Sequence, residues 1–97
     1  MVRHMLLWNC SPSVHDRSLF LDTLRQKIGE VQASCPGFLR FQLDLALPGS
    51  THDIGFYCEF ADRAALDAYQ FSPKHLAFKA QTGDLLTDRA CADLEVL

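Results

Sequence analysis

Tyr69 and His75, a phenol and an imidazole, flank the pair Ser72-Pro73, and these are the residue types of a proton donor and acceptor. Ser72 can accept hydrogen bonds from the free N–H groups of a new helix, and Pro73 suits its first position because it has no N–H to lose. His75 then falls in the first helical turn. There the positive end of the helix dipole disfavours imidazolium, so a buried His75 stays neutral near pH 7 and can act as a base. Tyr69 belongs to the last turns of the preceding helix, and the turn at Ser72 folds it back toward the imidazole. The same residues also admit a plain reading, in which Tyr69 packs by its ring and His75 occupies a helix end.

A third candidate is His4, which shares a strand face with Val2, Leu6 and Trp8 and so points into apolar space. A buried imidazole needs a hydrogen-bond partner, and the sequence offers Tyr69 and His75. Both a satisfied core histidine and a catalytic one fit this position. Trp8, Phe41, Phe56 and Phe78 are candidates to line a pocket for an aromatic ligand, although such spacing equally suits plain core. His15 and His52 fall at a helix start and in a loop and are expected to face solvent. If the site is an enzyme's, neutral His75 removes a proton α to a carbonyl while Tyr69 stabilises the enolate or donates a proton.

The elements that must position these groups follow from periodicity. Val2 to Asn9 reads as a strand. Ser13 and Asp16 have the spacing of a capping box, so a helix is expected to begin there, with Phe20, Leu24, Ile28 and Val31 as its apolar stripe up to Cys35-Pro36-Gly37. Phe38 to Leu47 alternates strictly, placing Leu39, Phe41, Leu43, Leu45 and Leu47 on one face and Arg40, Gln42 and Asp44 on the other. After the turn Pro48 to His52, Asp53 to Phe60 is a third strand with Ile54, Phe56, Cys58 and Phe60 inward. Asp62 caps a short helix bearing Ala65, Leu66 and Tyr69. The helix begun at Ser72 runs toward Gly83 or Leu86, and Arg89 to Val96 supplies a fourth strand. This order predicts an α+β, ferredoxin-like fold: a four-stranded antiparallel sheet with helices on one face, the second helix broken at Ser72-Pro73. Met5, Leu7 and Tyr57 fall on the opposite face among Arg3, Arg40, Gln42, Asp44 and Glu59, where either a partner or water covers them.

The 97 residues form a single domain, 48% hydrophobic and 22% charged, with a formal net charge of -3 and no run of Lys or Arg. That argues against nucleic acid as a partner. Only four apolar residues follow Arg3-His4, too few for a signal-peptide core, so neither a membrane nor an export route is expected and a cytoplasmic location is. Cys10, Cys35, Cys58 and Cys91 lie 25, 23 and 33 residues apart, unlike a zinc knuckle or redox motif; they read as free, small, buried hydrophobes. A zinc site built from His4, His75 and a cysteine has no support in ligand spacing, and no Gly-rich phosphate loop is present. Neither metal nor cofactor is expected.

Arg3-His4 on the first strand, the Cys35-Pro36-Gly37 break, Asp53-Ile54-Gly55 and Glu59-Phe60 on the third strand, and Ala68-Tyr69 followed by Ser72-Pro73-Lys74-His75 stand in an order that resembles the stress-responsive dimeric α/β-barrel (Dabb) family, over essentially the whole chain. The resemblance implies ferredoxin-like units that pair through their sheets as homodimers, in a family of mostly uncharacterised role. One plant branch is a polyketide cyclase that closes a ring by aldol condensation without a cofactor, using a His and a Tyr in a cavity between sheet and helices. On that likeness His75 matches the base, Tyr69 the tyrosine and His4 an interior histidine. Two positions depart: Ser72 stands where the family often has His, and Ile54 where the cyclase has a histidine, so substrate and reaction do not transfer. A haem-binding or oxygen-dependent relative would need His75 or His4 as an axial ligand and a larger cavity. The expected function is a small-molecule-binding homodimer with acid–base catalysis as an extension. The alternative is a non-catalytic stress-response or scaffold protein whose core is filled by its own side chains.

Overall fold

The computed structural model describes residues 1–97. Its elements are β1 (Val2–Cys10), α1 (Arg17–Ser34), β2 (Phe38–Leu45), β3 (Ile54–Phe60), α2 (Arg63–Gln70), α3 (Pro73–Thr82) and β4 (Leu86–Glu95). All strand pairs are antiparallel and the sheet order is β2-β3-β1-β4, the ferredoxin-like α+β arrangement. Side chains alternate across a strand, and the helix-facing row of β1 (Val2, His4, Leu6, Trp8) stands opposite Phe60, Cys58, Phe56 and Ile54 of β3. All eight are buried.

Capping chemistry sets the helix starts. Asp16, not Ser13, is the N-cap of α1: its carboxylate accepts from the Leu19 N–H at 3.0 Å. Ser13 instead bonds Ser11 in the preceding turn, so the expected capping box gives way to a cap by its second member. The buried stripe of α1 is Leu21, Leu24, Ile28 and Val31, with Phe20 only partly covered. Asp62 accepts from the Ala65 N–H at 2.8 Å and starts α2. Ser72 accepts from the His75 N–H at 3.2 Å and, with Pro73 at the first position, starts α3.

Two bulges interrupt the expected strand alternation. In β2 the register slips between Phe38 and Arg40. Leu39 is therefore the extra residue and is 53% exposed, while Phe38 takes the core position. Leu45, at the strand end, is 38% exposed and Leu47, beyond it, 79%, so the alternation expected to carry both inward stops at Leu43. In β4 the register slips opposite Leu7 and Asn9, where Asp88 adopts a left-handed φ of 53°. The bend is held by Asp88 itself: its carboxylate accepts from the Asn9 amide at 2.9 Å, and its carbonyl lies 3.0 Å from His52 Nε2. This irregularity hides the start of β4, which lies at Leu86 rather than Arg89. It also makes His52 half-buried and hydrogen-bonded, not freely solvated; His15 is exposed as expected.

All four cysteines are free, but Cys91 is exposed while Cys10, Cys35 and Cys58 are buried. No helix is long and apolar enough to cross a membrane.

At the α1–β2 corner Gly37 has φ +85°, and a Cβ built there would sit 2.7 Å from the Cβ of Ala65. Left-handed backbone and steric conflict act together at this position. Gly37→Ala should therefore destabilise the fold by about 2–4 kcal/mol, read as a fall in the urea midpoint. An unchanged midpoint would refute the close packing of α2 on this turn.

Candidate active site

The break between α2 and α3 puts Tyr69 and His75 face to face: their ring centroids are 4.0 Å apart and the planes differ by 22°. The pair meets by stacking, not through a hydroxyl–imidazole hydrogen bond. Behind Tyr69 lie Phe38 and Phe60, with centroids at 5.3 and 5.0 Å, so the phenol is clamped between the core and the imidazole. Burial pushes its proton affinity well up, with the Arg89 guanidinium acting weakly against it. Tyr69 therefore stays protonated, and its hydroxyl is available as a hydrogen-bond or proton donor and not as a base.

His75 is half-buried. Its Nδ1 is sealed from solvent and has no hydrogen-bond partner, so Nε2 is the nitrogen left for a ligand. Burial lowers the proton affinity of the ring, and nearby Lys79 lowers it further; the backbone carbonyls of Gln70 and Tyr69 pull the other way without forming a hydrogen bond to Nδ1. The result is a neutral imidazole near pH 7, as the first-turn position suggests.

His4 is 2% exposed. Its Nδ1 bonds the carboxylate of Asp93 on β4, directly across the β1–β4 ladder, and not Tyr69 or His75. The Tyr69 ring lies edge-on to it at 6.0 Å. In the neutral ring this bond keeps the proton on Nδ1 and leaves Nε2 as the acceptor. Cys91, two residues before Asp93, brings its sulfur to 4.0 Å from the same nitrogen. The donor atoms of His4, Cys91 and Asp93 lie within 4.8 Å of one another, a set of the kind that binds zinc. Spacing along the chain could not reveal it because the strands that carry it lie at opposite ends. The His4–Asp93 hydrogen bond already uses two of those atoms, so a metal would have to displace its proton.

A cavity of about 330 Å³ opens over this site. His4, Tyr69 and His75 all line it, as do Trp8 and Phe78 of the expected aromatic set. Phe41 and Phe56 do not. Phe56 is core, buried under Trp8 with its ring stacked at 5.6 Å and 20°, and Phe41 packs on Phe38 and Phe56, partly buried against that core. The remaining wall brings in residues the sequence did not single out, among them Gln70, Lys79, Thr82 and Arg89. The register of β4 against β1 is the signal that would have found Arg89 and Asp93.

A family model for the stress responsive A/B barrel domain (Dabb) matches residues 2–96. The chain belongs to that family. No curated protein matches it in sequence. Among solved structures, a dimeric protein of unknown function and ferredoxin-like fold from Bacteroides fragilis superimposes with a TM-score of 0.82 at 23% identity, over 98% of this chain and 95% of that one. Rv0793 of Mycobacterium tuberculosis gives a TM-score of 0.78 at 27% identity, covering 99% and 94%. A mutant of SnoaB, a cofactor-independent oxygenase from Streptomyces nogalater, gives 0.76 at 16% identity, covering 98% and 91%. At the identities of the first and third, the likeness to this Dabb chain is one of fold.

The lowered proton affinity of His75 makes stability depend on pH. The unfolded chain takes up a proton near the ordinary value of 6.5, and the folded chain does so only at lower pH. The stabilising difference is therefore complete above that value and is lost as pH falls from 6.5 through the folded-state value. His75→Gln should flatten the urea midpoint between pH 7 and 5 relative to the parent protein. An equally steep decline in both would place the titrating group elsewhere.

Asp93→Asn, which weakens the anchor of a buried imidazole, should cost about 1–3 kcal/mol in the same assay. No loss would show that His4 needs no partner on β4.

Proposed function

We propose that this Dabb chain forms a homodimer through its open sheet face and binds a small, largely apolar molecule in the His75 cavity, where His75 acts as a cofactor-free general base. The observation that carries the reading is the state of His75. It is a neutral imidazole stacked on a protonated tyrosine, with one nitrogen sealed and the ring on the wall of a cavity of about 330 Å³. A core filled by its own side chains would leave no such space, so the cavity weighs against the scaffold reading.

In the catalytic form of this proposal, Nε2 takes a proton from carbon α to a carbonyl. The C–H electron pair moves toward the carbonyl oxygen, and the Tyr69 hydroxyl donates a hydrogen bond to the resulting enolate. The nearby carbonyls of Gln70 and Tyr69 favour the imidazolium that protonation at Nε2 creates. His4, fixed by Asp93, acts as a positioning residue beneath the cavity. The fold is shared with SnoaB, itself a cofactor-independent oxygenase, and such chemistry fits a site built from a base and apolar walls. Four free thiols support a reducing, cytoplasmic compartment.

The dimer is supported by the sheet face away from the helices, where Leu7 is 42% and Leu94 50% exposed on adjacent strands. Dimeric neighbours of the same fold add to it. Sedimentation at micromolar concentration should give twice the chain mass. Leu7→Asp should shift the protein to monomer, because an unpaired charge buried in an interface costs about 3–5 kcal/mol. A parent protein that sediments as a monomer would exclude the dimer.

Native mass spectrometry of the purified protein should show a co-purifying small molecule that is lost in His75→Ala, with the urea midpoint changed by less than about 1 kcal/mol equivalent. If the change costs stability and leaves the bound species intact, His75 is a structural residue.

A further inference from the structure

We infer that the ligand of the His75 cavity is an amphiphilic anion, an apolar body ending in a carboxylate that Arg89 and Lys79 receive. This rests on the proposed binding role and adds the class of ligand. The chain carries a net charge of -3, yet the cavity wall contains two cations, Lys79 and Arg89, and no Asp or Glu. Lys79 also suits the last turn of α3, whose exposed carbonyls favour a cation. Arg89 has no such helix end to meet and stands exposed beside Cys91.

Arg89 is left unpaired by the local chemistry of its strand. Arg17, Arg25, Arg40 and Arg63 each pair with a carboxylate, whereas Arg89 and Lys79, like Arg3, Lys27 and Lys74, do not; of these five only Arg89 and Lys79 line this cavity. The acidic groups of β4 are engaged elsewhere: Asp88 with Asn9, Asp93 with His4 and Glu95 with Arg63. Regular alternation from Cys91 and Asp93, which stand opposite Leu6 and His4, places Arg89 on the helix-facing side and against the cavity. The rest of the wall is apolar or neutral, with Leu6, Trp8, Phe78 and Leu86 contributing surface. The Thr82 hydroxyl already donates to the Phe78 carbonyl at 2.8 Å. An apolar chain or ring fits this lining, and its single acid group has unpaired cations to meet.

Trp8 is the only tryptophan and lines the cavity, so its emission reports occupancy. Octanoate, 1-octanol and octylammonium share one alkyl body and differ in head-group charge. Octanoate should bind about tenfold more tightly than octanol, as two partly exposed ion pairs provide, and octylammonium more weakly than either. In Arg89→Gln combined with Lys79→Gln the octanoate preference should shrink to within about twofold, with octanol affinity kept. Should that variant not fold, raising the salt on the parent protein must weaken octanoate and leave octanol unchanged. Equal binding of octanoate and octanol, insensitive to salt, would overturn the anionic ligand while leaving the cavity as a binding site. Binding of none of the three would overturn the binding site itself.

Discussion

Three helices do not cover a four-stranded sheet here, and the site exists because of that shortfall. The helices lie over β2 and β3, where Phe38, Leu43, Ile54, Phe56 and Phe60 are buried beneath them. Beyond β1 the cover ends, and the helix-facing row of β4 stays largely open to solvent. The β1 row thus lies at the margin of the core, with His4, Leu6 and Trp8 closed on one side and facing a cavity on the other. A polar side chain is affordable at such a margin and nowhere deeper. Ile54, Cys58 and Phe60, all fully buried one strand away, show what the same sheet demands under complete cover.

The interruption at Ser72-Pro73 turns this margin into a site. An unbroken helix from Arg63 to Thr82 would carry Tyr69 and His75 six positions apart, on different faces of one cylinder. Capping α3 at Ser72 re-aims its first turn so that the imidazole lies flat on the phenol. The stack shields both rings: it helps keep the tyrosine proton on and the histidine proton off. Those are the two charge states a donor and base pair needs, and burial is the principal cause of both.

Much of this architecture is legible in the sequence because it rests on local chemistry. The caps Asp62 and Ser72, the stop at Cys35-Pro36-Gly37 and the alternation from Ile54 to Phe60 each act within a few residues. So does the placement of Tyr69 and His75 on either side of a helix start. What is not legible depends on register. The bulge at Leu39 swaps Phe38 into the core, and the bulge at Asp88 hides three residues of β4; in both cases alternation fails where one strand carries an extra residue. The partner of His4 is beyond sequence reasoning for the same reason. Asp93 reaches it only through the antiparallel ladder of the first and last strands, which no local pattern encodes.

Energetic cost argues that the open site is more than imperfect packing. A cavity walled by Trp8, Leu6 and Phe78 forgoes contacts that a larger side chain at Thr82 would supply, and an unpartnered Nδ1 on His75 forgoes a hydrogen bond. A sealed polar nitrogen of this kind costs about 1–3 kcal/mol, a substantial share of the stability of a domain this small. A leucine at position 75 would keep the helix and remove that penalty. Arg89 adds an exposed cation on the cavity wall that no carboxylate of β4 neutralises. A ligand with an apolar body, an acid group and a proton to exchange would engage all three features together.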